Sequence, residues 1–264
     1  MRLAAVILSV WVLMALLGSL PSLEPHQISL PEIFTPPSAD YWLGTDELGR
    51  PVLDRLLAGA SVSLLVALTT VTLSAVVGIA VGLIAGYFGG IVDRVISRVI
   101  EVFLAFPGML LAIAMAAMIG PGIDNVIIAL AVMGWVGYAR LVRVQVLSLR
   151  QRDHVLAATA LGRTDAAIMA RHLLPLVMAP VWVEASFGLA GAVVAEAGLS
   201  FLGLGIQPPD ASWGGMIRDG VRYLLVAPHL VLAPGIALFL VVLAANLFGD
   251  GLRDRLDVTS RSTP

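Results

Sequence analysis

The sequence predicts an all-α membrane protein with six spanning helices, and three observations carry that expectation. Hydrophobic residues make up 59% of the 264 positions and charged residues only 13%, where a soluble domain carries about 25% charged. Apolar stretches long enough to cross a hydrocarbon layer of ~30 Å as helices alternate with polar or Gly/Pro-rich segments. The arginines, finally, fall unequally between the two alternating sets of loops. Composition also excludes chemistry. With no cysteine there is no disulfide, thiolate metal site or cysteine nucleophile. With no lysine there is no complete Walker A loop and no Schiff base. A formal net charge of −2 gives no electrostatic case for nucleic acid.

Residues 3–20 form an uncharged run behind Arg2 and read as a retained anchor helix. A cleaved signal peptide would have an apolar region of ~7–15 residues and a small-x-small site, which does not follow here. In residues 21–60, Pro21, Pro25, Pro31, Pro36 and Pro37 keep the chain extended. Tyr41 and Trp42 are candidate interfacial anchors, and Asp46 and Glu47 suit a helix start. Val52, Leu53, Leu56 and Leu57 then share a helical face opposite Asp54 and Arg55, which predicts an amphipathic helix lying on the membrane surface. Residues 1–60 are therefore expected to form an anchor plus an extracytoplasmic segment.

The transmembrane domain is expected over 61–250, followed by a polar tail, 251–264. Its first span, 61–87, carries Gly78, Gly82 and Gly86, a small-xxx-small ridge that predicts close helix contact rather than activity. Residues 89–101 read as a short charged link with Arg94 and Arg98. A span over about 101–120 is interrupted by Pro107-Gly108 and closed by Pro121-Gly122, and the next runs from about 124 to 140. A fifth, about 175–196, contains Glu184; the sixth, about 230–248, follows a Gly/Pro-rich segment. Placing both termini in the cytoplasm leaves twelve arginines inside and four outside, a strong positive-inside signal.

Six of the sixteen arginines lie in the loop at about 140–172. There His154 to Leu161 reads as a short helix with small residues Ala157, Ala158 and Ala160 on one face. Gly162 offers a left-handed stop, Thr164 a cap for a second helix with Asp165 in its first turn, and Pro175 the start of a new span. One reading is a helix–turn–helix that lets another protein approach closely. The other is a solvated loop whose alanines reflect helix propensity alone.

The spacing Ala157-Ala158-x-x-x-Gly162, then nine residues, then His172-x-Leu174-Pro175 resembles the EAA loop of ABC-importer permeases. The stretches WLGTDELGR (42–50), AFPGMLLA (105–112), GYARLVRVQVLSLRQRD (137–153), SFLGLGIQPPDASWG (200–214) and NLFGDGLRDRLD (246–257) are similar to the peptide/nickel group of these permeases, its C-type subunit in particular. The resemblance covers about residues 28–257 and implies a MetI-like permease core in spans two to six. It implies a heterodimer with a homologous B-type permease, two ATPase subunits that use ATP and Mg, and an extracytoplasmic substrate-binding protein, in a bacterial inner membrane. It also implies that this chain is no enzyme and binds no cofactor of its own. The coupling loop to the ATPase would comprise Leu156, Ala157, Ala158, Gly162, His172, Leu174 and Pro175. The glutamate that names the motif falls at Leu156, and Asp153 lies three positions away, so the resemblance implies docking by shape. Peptides are the expected cargo; nickel or another metal chelate is the alternative.

Glu184 within a span would cost roughly 2.5–3.5 kcal/mol facing lipid, so it should face the bundle, a translocation path or water. Glu196, near the outer end, is expected to be solvated. Segment 200–214 either lines the outer mouth, with Gly203, Gly205 and Trp213 meeting the binding protein, or is an ordered loop that braces the two permease halves. His26, His154, His172 and His229 form no i, i+4 pair and predict no metal site. An intramembrane protease finds no paired carboxylates, His–Glu metal motif or GxSxG elbow. A stand-alone channel or secondary transporter finds little intramembrane charge for ion coupling.

Overall fold

A computed structural model describes residues 1–20 and 23–257; Pro21, Ser22 and residues 258–264, with Arg261 of the tail, lie outside the described residues. Among the described residues, four helices are long and apolar enough to cross a membrane: α2 (Val52–Phe88), α5 (Ile123–Leu149), the run Asp165–Phe201, and α10 (His229–Asp257) over His229–Leu256. The third of these comprises α7 (Asp165–Ile168), a π-turn (Met169–Leu173) and α8 (Leu174–Phe201). A bent pair, α3 (Gly90–Leu104) and α4 (Gly108–Ile119), meets the same length and composition only when its two halves, which join at 82°, are taken together. The sixth apolar stretch is the shorter helix α1 (Arg2–Gly18). Two short helices complete the set, α6 (Asp153–Ala160) and α9 (Trp213–Val221).

Three expectations need correction. The surface helix at 50–60 is the opening of α2, which runs unbroken across residue 60, so the domain boundary placed there falls inside a helix. Its presumed polar side is not solvated: Arg55 is buried because Asp46 reaches it (Nε–Oδ2 3.4 Å). Asp46 starts no helix either; its Oδ1 accepts the backbone N–H of Leu48 and Arg50, both at 2.9 Å. Finally, the charged link 89–101 is helical. In α3, Ile91, Val95, Val99 and Val102 form the exposed stripe, while Asp93 turns inward to Arg143 on α5 (Oδ2–Nη2 2.8 Å). Pro107 ends the pair's first half, having no N–H to continue the ladder and disfavouring helical geometry in the residue before it.

Packing centres on α2 against α5. A Cβ at Gly78, Gly82 or Gly86 would meet Tyr138 Cβ at 2.4 Å, Ala139 O at 2.6 Å or Val146 Cβ at 2.7 Å respectively, so only glycine permits this approach. The far end of α2 is held by Arg150, whose Nη1 donates to the carbonyls of Gly86 and Tyr87 at 3.2 Å, satisfying orphan groups of the last turn. At the other end α1 inserts Trp11 against Trp213 (centroids 6.4 Å apart), within a core that also holds Val52, Leu56 and Leu230. The anchor helix is thus part of the packed fold.

Candidate functional site

The arginine-rich loop folds as a hairpin. Arg152 is extended at the N-cap of α6 and Asp153 occupies its first turn. Val155 and Ala158 point inward to a core with Ile168 and Leu173, leaving Leu156 and Ala157 outside. The helix ends on Gly162 at φ +75, where the N–H of Arg163 bonds the carbonyl of Ala158 at 3.1 Å. A Cβ at Gly162 would meet nothing within 4 Å, so the glycine is there for its backbone angle. Thr164 then caps α7, its side chain accepting from the Ala167 N–H at 3.4 Å. Tyr87 Oη donates to Asp165 Oδ1 at 2.7 Å and ties the hairpin to the end of α2.

This geometry divides the coupling-loop residues. Leu156, Ala157 and Gly162 share the exposed tip with Leu161, which is 84% exposed. Ala158 does not belong to the outward surface: it is 6% exposed and faces the hairpin's own core. His172 lies in the π-turn, and Leu174 and Pro175 open α8, one helix away from the tip. Sequence reasoning missed Leu161; its signal was an apolar residue next to the helix-ending glycine, in a loop with no span to bury it. The arginines also divide. Arg152, Arg163 and Arg171 are exposed, whereas Arg143 and Arg150 hold helices together.

Within the bundle, a cleft of about 360 Å³ opens between α2, α4, α5 and α8 and is lined by Thr70, Ser74, Tyr138 and Glu184 among apolar residues. Glu184 also borders a second cleft of about 520 Å³ toward the hairpin end, with Gln145, Pro180 and Arg253. It is the residue common to both linings.

At the opposite end, segment 200–214 packs into the chain's own core. Trp213 is fully buried and its Nε1 donates to the Leu56 carbonyl at 3.0 Å. Gly205 is buried against Ser200, and its carbonyl accepts the Gly122 N–H at 3.1 Å; Gly203 is half-buried. Glu196 is not solvated but fully buried, accepting from Ser200 Oγ at 2.8 Å and Ser63 Oγ at 3.1 Å. Two local hydroxyl donors make burial of that side chain tolerable. Asp46, Arg50 and Arg55 form a buried ion cluster with Arg50 Nε–Asp46 Oδ2 at 2.6 Å. Burial pushes the Glu47 carboxyl at its rim up, and the Asp46 charge adds to that shift. The histidines are dispersed: His26 faces Asp210 at 3.9 Å and His229 Nε2 lies 3.2 Å from the Thr45 carbonyl. Among the described residues no three His, Asp or Glu side chains gather as a metal site would need.

The profile of one protein family, described as "Binding-protein-dependent transport system inner membrane component", matches residues 78–261. The glutathione transport system permease protein GsiD of Escherichia coli O157:H7 is 44% identical over 221 residues, covering 84% of this chain and 73% of the relative. The dipeptide transport system permease protein DppC of Alkalihalophilus pseudofirmus is 41% identical over 226 residues, covering 86% of this chain and 74% of the relative. In fold, the chain is similar to an inward-facing structure of the MetNI methionine ABC transporter. That likeness has a TM-score of 0.62 at 21% identity, and covers 77% of this chain and 97% of the other.

Proposed function

Because the chain belongs to the family of binding-protein-dependent transport system inner membrane components, we propose that it is the C-type permease of an ATP-driven peptide importer. It works beside a B-type permease, two ATPase subunits and an extracytoplasmic binding protein. The observation that carries the cargo class is the identity, over most of the chain, to permeases named for glutathione and for dipeptides. No residue of the chain favours a nickel or other metal chelate over a peptide.

The hairpin tip is the ATPase contact. Leu156, Ala157 and Leu161 give it an apolar surface that no neighbouring span covers, and such surface outside a membrane marks a partner site. Movement of the tip passes through Tyr87 to α2, and through α7 and the π-turn into α8, where Glu184 borders both clefts of the path. ATP and Mg are used by the partner, in keeping with the absence of lysine here. The arginine distribution supports a cytoplasmic side for the hairpin and both termini. The whole operon, expressed and purified in mild detergent through this chain, is expected to yield an ATPase and a second permease. Reconstituted with its binding protein, it should accumulate peptide only with ATP. A homo-oligomer without an ATPase would overturn the reading in favour of a channel.

A further inference from the structure

Three hydroxyls around one cleft in the membrane-spanning core lack partners. Thr70 Oγ1 and Ser74 Oγ on α2 and Tyr138 Oη on α5 are buried without a hydrogen bond, their residues being 4%, 2% and 4% exposed. All three residues line the cleft of about 360 Å³, and the fourth polar residue there is Glu184 on α8. No described side chain makes a hydrogen bond or ion pair to Glu184, and the lining includes neither arginine nor histidine. A buried hydroxyl without a partner costs free energy, and a carboxylate within a membrane costs more. Three buried hydroxyls and a half-buried carboxylate, on three helices, line one space and are unexplained by packing.

The neighbouring backbone has made room for them. A Cβ on Gly134 would lie 2.2 Å from Ser74 Oγ, one on Gly188 2.7 Å from Tyr138 Oη, and one on Gly137 3.2 Å from Glu184 Oε1. The remaining wall includes Met109 and Met133, flexible apolar side chains that repack around different shapes. The cleft volume falls near the lower end of the roughly 300–1,000 Å³ of small-molecule sites. That is room for one terminal residue of a peptide and not for a long chain.

We propose that this cleft is a solute subsite within the bundle that takes the ammonium end of the transported molecule. Glu184 supplies the counter-charge, and Thr70, Ser74 and Tyr138 replace the hydration shell. This rests on the importer reading above and adds the chemistry recognised: a primary ammonium with adjacent hydrogen-bonding groups, and not a carboxylate end. An N-acylated amine would lose the charge that Glu184 offsets.

The chain has no cysteine, so Gly191→Cys, at a cleft position where an added Cβ meets nothing within 4 Å, provides a single thiol. The complex in nanodiscs is treated with aminoethyl or sulfonatoethyl methanethiosulfonate. Modification is followed by the mass of this chain, and each rate is normalised to that reagent's rate with free cysteine. The aminoethyl reagent should react about tenfold faster, the order that one nearby charge gives at partly screened dielectric. Glu184→Gln should abolish the preference and Glu184→Asp should keep it, which separates charge from a folding defect. Alanyl-alanine should protect the thiol, and N-acetyl-alanyl-alanine should not. Equal normalised rates in the parent, a preference that survives Glu184→Gln, or no protection by alanyl-alanine would overturn the proposal. The readout needs no nucleotide, so a missing ATPase would defeat the importer reading and leave this test intact.

Discussion

Asp46 illustrates what a residue does here beyond what its sequence context suggests. In the sequence it precedes a helix; in the fold it holds two buried guanidiniums, Arg50 at 2.6 Å and Arg55 at 3.4 Å, at the junction of segment 23–51 and α2. Removing it leaves Arg55 without its carboxylate and Arg50 with Glu47 alone (Nη2–Oε1 2.9 Å), and breaking a buried pair in this way costs roughly 3–5 kcal/mol. Asp46→Ala is therefore expected to lower thermal stability in detergent sharply, with Asp46→Asn falling between it and the parent. An unchanged melting temperature would contradict the buried cluster. Glu196 was misread for the same reason. Linear context places it near a span end, whereas its partners Ser63 and Ser200 come from a distant helix and the next turn. Glu184 was legible as an intramembrane carboxylate that must face something other than lipid. The hydroxyls that share its cleft come from α2 and α5, and no local pattern brings them together.

At the scale of elements, periodic signals translated best. Glycines every four residues in α2 announced close packing, and α5 provides it with carbonyl oxygens at the positions a side chain would need. Gly82→Leu should cost at least the roughly 1–3 kcal/mol of an overpacked core, because the obstacle is the Ala139 backbone, at 2.6 Å, rather than a movable side chain. A thermal shift of the purified chain measures this, and a neutral result would contradict the α2–α5 contact. The hairpin was legible from its caps, since Gly162 and Thr164 act locally as their residue types suggest. Which face of α6 points outward was not. Ala157 and Ala158 are equivalent in sequence, and only Ile168 and Leu173, across the turn, bury Ala158. The helix α3 was hidden because its charges read as a loop, while Asp93 in fact faces α5 and the apolar stripe faces outward.

For the whole molecule, two ends with different tasks emerge. One is locked: α1, the buried ion cluster, Glu196 and Trp213 bind segment 23–51 and the 197–229 connection into a single core. The other ends in a hairpin whose tip is apolar and uncovered, joined to the bundle through Tyr87 and the π-turn. Such an arrangement suits a part that receives motion at one end and holds shape at the other. The most direct test uses the absence of cysteine in the chain. A photo-activated benzophenone maleimide is attached to Leu161→Cys or Ala157→Cys, or to Trp42→Cys at the opposite end, within the complex purified from the whole operon, and the adducts are identified by mass spectrometry. The account predicts that both tip positions cross-link to an ATPase and that position 42 does not; tip positions that capture only lipid or a second copy of this chain would contradict it.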